Sequence, residues 1–541
     1  MKFHISIKKR SIIWSLFSCF FFTSSQAQQF DWAQSIGGLG LDVGRAVTTD
    51  FEGNVFVAGS FTGSTHLADT FLSGLGASEA FVAKFTSEGD FLWANVISGP
   101  AEDMARGLVT DDEGNIYVVG HFTDTVVFSI TELDTIAAKS EGMQDVFVVK
   151  YNANGQLLWK LTGGGVGNDT GTDIDWHKWS GKIYVSGGFE RRAKFGTATL
   201  LSNGLTDAFL LKITGDGGAQ WAKKGGGLEH DIAASLSVDQ TNEIIYVTGD
   251  FYDRAIFETE EVVALGSSDM FLAKYLPDGT MEWIKANGGT SVDVATGIGT
   301  DLNGKVYVSG YYQGTTYFQN HSASAISYND VFVAQFDAEG NCGWLSSAGS
   351  WALDNAAGLA VDWNGTSYLT GMFEEEIITN TDSASGIGYD IFVLAHHPDG
   401  QVKYVRSAGA GSADIGMAAC LGPDQSLYLT GYYFFFADFD NTTIGAADYG
   451  DCFLARMTDI LAVENVKEDF NKECVQVNPQ GEVEVKCSLI GTWILTNTLG
   501  QVLAKGQVQP KIQLPTSDEI TFFSLRTASA VYSKNLSPRF E

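Results

Sequence analysis

Residue types that could do chemistry occur in few recognisable spacings in this 541-residue sequence. Its six cysteines form no Cys-x-x-Cys pair, and the sequence has no His-Glu-x-x-His, Gly-x-Ser-x-Gly or phosphate-loop pattern. Zinc, redox, hydrolytic and nucleotide chemistry of these kinds are therefore disfavoured. The pair His396-His397 could bind a metal, but we interpret it as part of a solvated hairpin turn. The sequence predicts no catalytic, metal-binding or cofactor-binding residue, and no cofactor.

Paired carboxylates, which can hydrolyse glycosidic bonds, are the other chemical candidates. The sequence has 65 Asp and Glu against 33 Lys and Arg, and this net charge of −32 disfavours a nucleic-acid partner. Most acids recur at a fixed spacing, which indicates structural caps, because a catalytic pair would break the recurrence in one or two places. The turns at 301–304 and 362–365 resemble calcium loops but lack further ligands, so ordinary hairpin turns are favoured.

Three markers recur along the chain and define the elements that must position any site. The aromatic marker is found at Trp32, Trp93, Trp159, Trp221, Trp283, Trp344 and Tyr404. A glycine that ends an apolar run is found at Gly59, Gly120, Gly187, Gly249, Gly310, Gly371 and Gly431. An acid before an aromatic strand is found at Glu79, Asp145, Asp207, Asp269, Asp330, Asp390 and Asp451. The agreement of the three markers indicates seven units.

Each unit has four short runs rich in Val, Ile, Leu, Phe and Tyr, separated by Gly, Asn and Asp, without a helical period. In the second unit the predicted strands are 106–110, 115–122, 145–151 and 156–161. Several runs are apolar on both faces and need cover above and below. Small sheets stacked around an axis provide this cover, so we expect an all-β fold, a seven-bladed β-propeller.

The order of the strands predicts how the array closes. A Trp-bearing strand opens the repeat region, but none follows the last unit, which ends at Thr458. Residues 30–35 would supply the missing strand beside residues 452–457. This exchange would leave no free sheet edge.

The loops after each Gly-x-Phe vary in sequence within a constant frame, which is typical of a binding rim. The frame consists of aromatics six residues apart, at Phe122 and Phe128, Phe189 and Phe195, Phe251 and Phe257, Tyr312 and Phe318, and Tyr433 and Phe439. Two loops stand out as candidate binding residues, the basic cluster Arg191, Arg192 and Lys194 and the aromatic run Phe434, Phe435 and Phe436. In the alternative interpretation, the cations pair with neighbouring acids and the aromatics fill an interface between units.

The repeats resemble the bacterial β-propeller repeats called SBBP repeats. The second unit carries the matching residues Asp111, Gly114, Asn115, Tyr117, Gly120, Phe122, Asp145, Phe147, Lys150, Gly155 and Trp159. The resemblance covers residues 30–458, with departures at Gln335, Ala395, Arg456 and Tyr404. It implies the propeller fold and a setting outside the cytoplasm, and it implies no shared chemistry.

The N-terminal segment has the pattern of an export signal. Lys2, Lys8, Lys9 and Arg10 precede an apolar run at 12–22, and the small-residue site at 25–27 predicts cleavage after Ala27. A membrane anchor and a lipoprotein site at Cys19 are the alternatives. The predicted domains are a signal peptide at 1–27, a propeller at 28–458 and a small β-sandwich at 459–541.

The C-terminal segment resembles the sorting domain of type IX secretion. The matching residues are Asn478, Pro479, Gly481, Leu499, Gly500 and Lys534, with a departure at 520–523. An unrelated accessory sandwich is the alternative. Of the five cysteines that remain after cleavage, Cys474 and Cys487 are the only plausible disulfide pair, since an intervening strand would separate Cys420 from Cys452.

These patterns together predict an exported or cell-surface, non-enzymatic scaffold that binds a protein or glycan. We expect a monomer with no transmembrane span in the mature chain, delivered by secretion machinery of a Gram-negative bacterium. The alternatives are a secreted carbohydrate-active enzyme and a purely architectural surface protein.

Overall fold

The computed structural model describes residues 29–458, apart from 68–69, 75 and 131–134, and seven further strands between residues 475 and 535. All the regular secondary structure in these residues is β-strand, as the sequence predicts. The cleavage site expected after Ala27 lies outside the described residues, as do Cys474 and Cys487. The described residues contain no helix of the length and apolarity needed to cross a membrane.

The strands of the repeat region follow one another closely. Those before residue 230 are β1 (Gln29–Leu39), β2 (Asp42–Thr49), β3 (Val55–Phe61), β4 (Ser64–Leu67), β5 (Thr70–Ser73), β6 (Glu79–Phe85), β7 (Phe91–Ile97), β8 (Asp103–Thr110), β9 (Ile116–Ile130), β10 (Thr135–Tyr151), β11 (Leu157–Gly165), β12 (Asp169–His177), β13 (Lys182–Phe195), β14 (Ala198–Ile213) and β15 (Ala219–Gly227). Those after it are β16 (Ile232–Asp239), β17 (Ile244–Phe251), β18 (Arg254–Phe257), β19 (Glu260–Val263), β20 (Asp269–Tyr275), β21 (Met281–Gly289), β22 (Asp293–Thr300), β23 (Val306–Phe318), β24 (His321–Phe336), β25 (Cys342–Ala348), β26 (Asn355–Val361), β27 (Ser367–Ile378), β28 (Ser383–His396), β29 (Val402–Ala408), β30 (Asp414–Leu421), β31 (Leu427–Tyr433), β32 (Phe436–Phe439), β33 (Thr442–Gly445) and β34 (Asp451–Thr458).

Strand pairing follows the sequence repeats. Each unit is an antiparallel group of four strands, and units one to seven are β2-β3-β6-β7, β8-β9-β10-β11, β12-β13-β14-β15, β16-β17-β20-β21, β22-β23-β24-β25, β26-β27-β28-β29 and β30-β31-β34-β1. In unit seven, β1 lies beside β34, with Phe30 opposite Met457 and Ile36 opposite Cys452. This is the pairing expected for residues 30–35.

The first strand of each unit contacts the first strand of the next. The contacts run through β2, β8, β12, β16, β22, β26 and β30, and β30 contacts β2. We call these the inner strands.

The apolar residues pack between units rather than within a single sheet. Every residue of β3 and β6 is buried, which explains why these runs are apolar on both faces. The buried apolar residues form clusters that each combine two neighbouring units; one such cluster joins Phe56 of unit one to Phe147 of unit two. Another joins Tyr428 of unit seven to Phe81 of unit one.

The second and third strands extend further than the sequence analysis expects. In unit two, β9 continues past Phe122 to Ile130 and forms an outer hairpin with β10. Equivalent hairpins pair with the end of the preceding unit's last strand, as Gly164 of β11 does with Lys194 of β13. Local sequence could not predict this extension, because its partner strand belongs to the preceding unit.

The C-terminal segment also contains strands, as the sequence predicts. They are β35 (Val475–Val477), β36 (Glu482–Val485), β37 (Gly491–Thr496), β38 (Val502–Gln507), β39 (Lys511–Gln513), β40 (Phe522–Thr527) and β41 (Ala530–Asn535). They form two sheets, in the orders β35-β36-β39 and β38-β37-β40-β41.

Candidate functional site

The outer hairpin of unit three carries the basic cluster predicted from the sequence. The side chains of Arg191, Arg192 and Lys194 are exposed, and none of the three forms an ion pair with any residue that the structure describes. The adjacent acid, Glu190, instead accepts hydrogen bonds from the backbone and side-chain nitrogens of Asn168, at 3.3 and 3.2 Å. Cations on other hairpins are neutralised locally, since Lys139 lies 3.7 Å from Asp124 and Arg254 pairs with Glu261. The alternative in which the three cations pair with neighbouring acids is therefore wrong.

Arg191 occupies a recurrent, unusual backbone position. Its φ is +58°, and the register between β13 and β14 shifts there. Each unit has a Gly-x-aromatic step, and the second residue after its aromatic has positive φ. These residues are Gly63, Asp124, Arg191, Asp253, Gly314, Glu375 and Phe435. The left-handed conformation is unfavourable for residues with a Cβ. The fold therefore holds Arg191 in place through its backbone, whose N–H donates to Oγ of Ser202 at 2.8 Å.

The aromatics that frame these loops belong to the interior. Phe122 is 0% and Phe128 1% exposed, and their ring centroids lie 6.2 Å apart. The corresponding residues of units three, four, five and seven are also buried. The frame therefore anchors each hairpin by packing, and the surface available to a partner is formed by the residues between the aromatics.

The aromatic run of unit seven is divided between surface and interior. Phe435 and Phe436 are 63% and 60% exposed, so they do not fill an interface between units. Phe434 is half-buried and makes edge-on contacts with Tyr432 and Tyr449, at centroid distances of 5.8 and 5.2 Å. The hairpin that follows Phe434 is hydrogen-bonded to the end of unit six. The hairpin that carries Arg191 pairs instead with the last strand of unit two. The two predicted candidates are thus separate surfaces.

A second group of candidate residues was not predicted: Arg45 and Arg106 lie on inner strands, Glu102 directly precedes β8, and His121 and Tyr432 lie on the second strands β9 and β31. This inner cluster consists of Arg45, Glu102, Arg106, His121 and Tyr432. Arg45 in β2 and Arg106 in β8 each sit where the inner strand bulges away from its partner, and β2 contacts β8. Nε of Arg106 donates to Nδ1 of His121 at 3.4 Å, and Nε2 of His121 lies 3.6 Å from Oε1 of Glu102.

Charge and burial set the protonation of the inner cluster. Burial, followed by the positive charges of Arg106 and Arg45, lowers the pKa of His121 to about 3, so the imidazole is neutral at pH 7. Burial, followed by the neighbouring Arg45, lowers the pKa of Arg106 to about 10, and it remains charged. Because Nδ1 of His121 accepts a hydrogen bond, its proton resides on Nε2.

The recurrent acids form buried pairs at each junction between units. The pairs are Glu79 with Asp103, Asp145 with Asp169, Asp207 with Asp231, Asp269 with Asp293, Asp330 with Asp354, Asp390 with Asp414, and Asp451 with Asp42. A Cβ added at Gly164 would lie 2.7 Å from Oδ1 of Asp145 and 2.8 Å from Oδ2 of Asp169, so both carboxylates crowd one glycine. We call these the junction acid pairs.

The junction acid pairs cap backbone groups, which is the structural role that recurrence predicts. Oδ2 of Asp169 accepts from the N–H of Gly165 at 2.7 Å, and Oδ2 of Asp145 accepts from that of Glu141 at 3.0 Å. Burial, with added repulsion from the partner acid, raises the pKa of Asp42 and of Asp103 to about 8 and that of Asp169 to about 7. One proton shared within a pair would relieve this repulsion.

The remaining sequence candidates have structural environments. His396 is the last residue of β28 and is fully buried, with Nε2 3.0 Å from Oγ of Ser346, so placing it in a solvated turn was wrong. Oδ1 of Asp301 and Oδ1 of Asp362 accept backbone N–H groups two and four residues on, as hairpin-turn caps do. In the described residues, no group of three or more His, Cys, Asp or Glu is placed to hold a metal, and Cys342, Cys420 and Cys452 are free thiols.

One sequence signal could have located the inner cluster. The residue after the recurrent glycine varies in chemistry from unit to unit, as Ser60, His121, Gly188, Asp250, Tyr311, Met372 and Tyr432. A variable position beside an invariant one is the pattern used above for the outer loops. It was missed because the cluster joins strands of units one, two and seven, which meet only in the folded chain.

Comparison with known proteins supports the repeat architecture. No protein-family model matches the chain. An uncharacterized WD repeat-containing protein of Acanthamoeba polyphaga mimivirus is 24% identical over 427 residues, which cover 64% of this chain and 30% of that protein. The regulatory protein FlaEY of Caulobacter vibrioides is 25% identical over 165 residues, 30% of this chain and 17% of its own length. The chain thus spans less than a third of either relative.

Two solved structures show distant likeness. A protein of unknown function from Bacteroides caccae has a TM-score of 0.32 at 10% identity, covering 67% of this chain and 98% of that one. An apocarotenoid oxygenase from Synechocystis has a TM-score of 0.34 at 10% identity, covering 80% and 94%. The strand pairing and the WD-repeat relative define the class of this chain, a β-rich, propeller-like repeat protein.

Proposed function

We propose that the chain is an exported, non-enzymatic scaffold, built as a closed seven-bladed β-propeller, that binds an anionic protein or glycan. The units described above are the blades. Three observations support the closed architecture: β1 completes unit seven, each apolar cluster joins two neighbouring units, and the contacts of the inner strands return from β30 to β2. Such closure leaves neither end of the array open, and the edges that remain are short.

The observation that carries the binding function is the unpaired charge of the unit-three hairpin. Arg191, Arg192 and Lys194 are exposed and form no ion pair within the described part of the chain, while the cations of neighbouring hairpins are paired. Leu201, the cross-strand neighbour of Arg192, is 60% exposed and adds apolar area beside the charges. Guanidinium groups on such a surface favour two-point contacts with carboxylates or sulfates.

The overall negative charge does not prevent this contact. Residues 1–27 hold four cations and no anion, so the chain cleaved after Ala27 would carry −36. Salt screens this net field over about 8 Å at physiological ionic strength, whereas a direct contact with a guanidinium is not screened in this way. The protein would repel anions at a distance and bind them at one hairpin.

The route to the surface follows from the two ends of the sequence. We propose that residues 1–27 are a signal peptide, that the repeats are of the SBBP type, and that residues 459–541 direct type IX secretion or surface attachment. We propose that the protein is not an enzyme, because its recurrent acids cap backbone N–H groups at the junctions.

The test removes the three charges without altering the backbone conformation. The variant combines Arg191→Gly, which suits positive φ, with Arg192→Gln and Lys194→Gln. Its binding to polygalacturonate and to polyglutamate is compared with that of the parent by titration calorimetry at physiological salt. We expect affinity to fall about tenfold or more, because each charged hydrogen bond contributes about 1.5–3 kcal/mol.

Arg254→Gln is the matched control. It removes a cation from the equivalent hairpin of unit four, where Glu261 already neutralises the charge. The control should bind as the parent does. Equal loss of affinity in both variants would show that net charge, rather than this hairpin, governs binding, and no loss in the triple variant would contradict the proposal.

A further inference from the structure

The inner cluster contains two cations, Arg45 and Arg106. No carboxylate of the described residues lies within ion-pair distance of Arg45 or Arg106, and Nε of Arg45 is fully buried without a hydrogen-bond acceptor. Glu102 is the nearest acid by its electrostatic effect, but it approaches His121 and its side chain is 47% exposed. Two half-buried arginines from adjacent inner strands therefore lie in one cluster, and neither forms an ion pair with a described residue.

Such an arrangement is unfavourable unless an anion joins it. Removing a charge from water without pairing it is costly, and like charges at short range add to the cost. The effect on Arg106 is visible in its lowered pKa, to which burial contributes most and Arg45 next. An anion between the two guanidinium groups would reverse both contributions.

Except for Glu102, every member of the cluster can donate a hydrogen bond. The guanidinium of Arg45 donates, Arg106 has terminal N–H groups beyond the Nε bond to His121, and His121 presents its Nε2 proton. With two arginines and Glu102, the local charge is close to +1, which suits a single monoanionic group. A carboxylate matches both this charge and the planar geometry of guanidinium.

A run of aromatic rings leads away from the cluster. Tyr432 interacts electrostatically with Arg45, Phe434 contacts Tyr432 edge-on, and Tyr449 contacts Phe434. Tyr449 and Phe435 are each 63% exposed. Binding surfaces that combine aromatic side chains with a few placed polar groups accommodate ring-shaped ligands.

We propose that the inner cluster binds the carboxylate of an acidic saccharide, with the sugar ring lying against Tyr432 and Phe434. The two arginines bind the carboxylate. The aromatic run packs against the apolar face of the sugar and of any further sugar unit of the ligand. This site is distinct from the unit-three hairpin, and it does not depend on whether that hairpin binds a polymer.

The test measures binding of small probes to the full chain. Titration calorimetry with glucuronate, glucose and acetate should show glucuronate binding tightest and glucose not at all. Arg45→Gln and Arg106→Gln should each weaken glucuronate binding about tenfold or more, because each removes a charged hydrogen bond to the carboxylate. Arg254→Gln, which removes a cation outside both proposed sites, should leave glucuronate binding unchanged.

The aromatic contribution is tested separately. Tyr432→Ala should weaken glucuronate binding but not acetate binding. Equal affinity for acetate and glucuronate, or tighter binding of an aspartate-containing peptide, would overturn the saccharide assignment. Absence of binding by the parent, or unchanged affinity in both arginine variants, would overturn the site itself.

A readout on the unmodified protein covers the case in which a variant fails to fold. Glucuronate should raise the melting temperature of the parent above that in an equal concentration of sodium chloride, because a ligand that binds only the folded state stabilises it. Equal melting temperatures in the two salts would contradict the proposal. Loss of polygalacturonate binding in the hairpin triple variant, with glucuronate binding intact, would distinguish the two proposed sites.

Discussion

Trp32 lies against Tyr428, with ring centroids 6.3 Å apart, although the two residues come from opposite ends of the repeat array. The same pair recurs inside other units, where Phe56 and Trp93 are 6.2 Å apart and Tyr117 and Trp159 are 6.0 Å apart. Trp32 therefore occupies in unit seven the position that a unit's own tryptophan fills elsewhere. The N-terminal strand is an integral part of the array.

The first prediction concerns this strand. Trp32→Ala should destabilise the protein by about 2–4 kcal/mol, as truncation of large packed aromatics does. Trp93→Ala is the matched control, since both tryptophans are partly buried and contact the corresponding ring of their unit. Trp93→Ala should lower the free energy of unfolding by about 1 kcal/mol more than Trp32→Ala, because Nε1 of Trp93 also donates to the carbonyl of Ala153 at 3.1 Å. Urea unfolding of the two variants measures the difference.

Deleting residues 28–36 should have a stronger effect than the point substitution. It would expose the edges of β34 and of the unit-one hairpin, and loss of cooperative unfolding or aggregation should follow. A deletion variant that unfolds at the same temperature as the parent would show that the array does not need this strand.

The junction acid pairs predict an unusual dependence of stability on pH. Their folded-state pKa values are raised, so the folded protein binds more protons than the unfolded chain between about pH 4 and pH 8. The free energy of unfolding should therefore fall as pH rises through this interval. Burial lowers the pKa of His121 to about 3 and of His396 to about 4, and it also lowers the pKa of His177; these three act in the opposite direction below pH 6.5. Seven acid pairs outnumber three histidines, so the acids should set the sign in urea unfolding at pH 5 and pH 8.

Asp42→Asn isolates one junction. Burial raises the pKa of Asp42 to about 8, and its Oδ2 accepts from the N–H of Gly38 at 2.9 Å, a bond that an asparagine oxygen can keep. At pH 8 the variant should be more stable than the parent by about 1 kcal/mol or more, because a neutral group replaces a buried, repelled charge. At pH 5 the difference should shrink, since Asp42 is then protonated. Lower stability of the variant at pH 8 would contradict the shared-proton account.

Recurrence decided which features could be predicted from the sequence. Trp93, Gly120 and Asp145 were recognised because each marks a position that recurs in every unit with the same or a similar residue, and the repetition separates a weak local signal from chance. The pairing of Asp145 with Asp169 was not predictable, because it joins one unit to the next through strand ends that meet only in the folded array. Arg45 and Arg106 were missed for a related reason: they are not repeated, and a bulge in the strand directs them.

The C-terminal segment gives a prediction about export. A chain that ends at residue 460 should fold as a stable monomer, because β34 and β1 complete unit seven without any later residue. In a native-type host it should reach the periplasm and remain there, while the full chain reaches the surface or the medium. Cell fractionation with antibody detection measures the two. Efficient surface delivery of the shortened chain would contradict the sorting-domain proposal.

The last prediction separates the fold of the unit-three hairpin from its binding role. Arg191 has φ of +58° and makes no side-chain ion pair in the described structure, so its side chain contributes strain without compensation. Arg191→Gly should raise the free energy of unfolding by about 0.5–1 kcal/mol. The substitution removes the cost of about 1–2 kcal/mol that a residue with a Cβ has in the left-handed conformation, and glycine loses more backbone entropy on folding, which offsets part of this gain. At the equivalent position of unit five, Gly314 has φ of +66°, and Gly314→Ala should lower stability by about 1 kcal/mol. Urea unfolding measures both variants. A marked loss of stability in Arg191→Gly would instead show that the arginine side chain supports the hairpin. Loss of binding by that variant could then no longer be assigned to the loss of its charge.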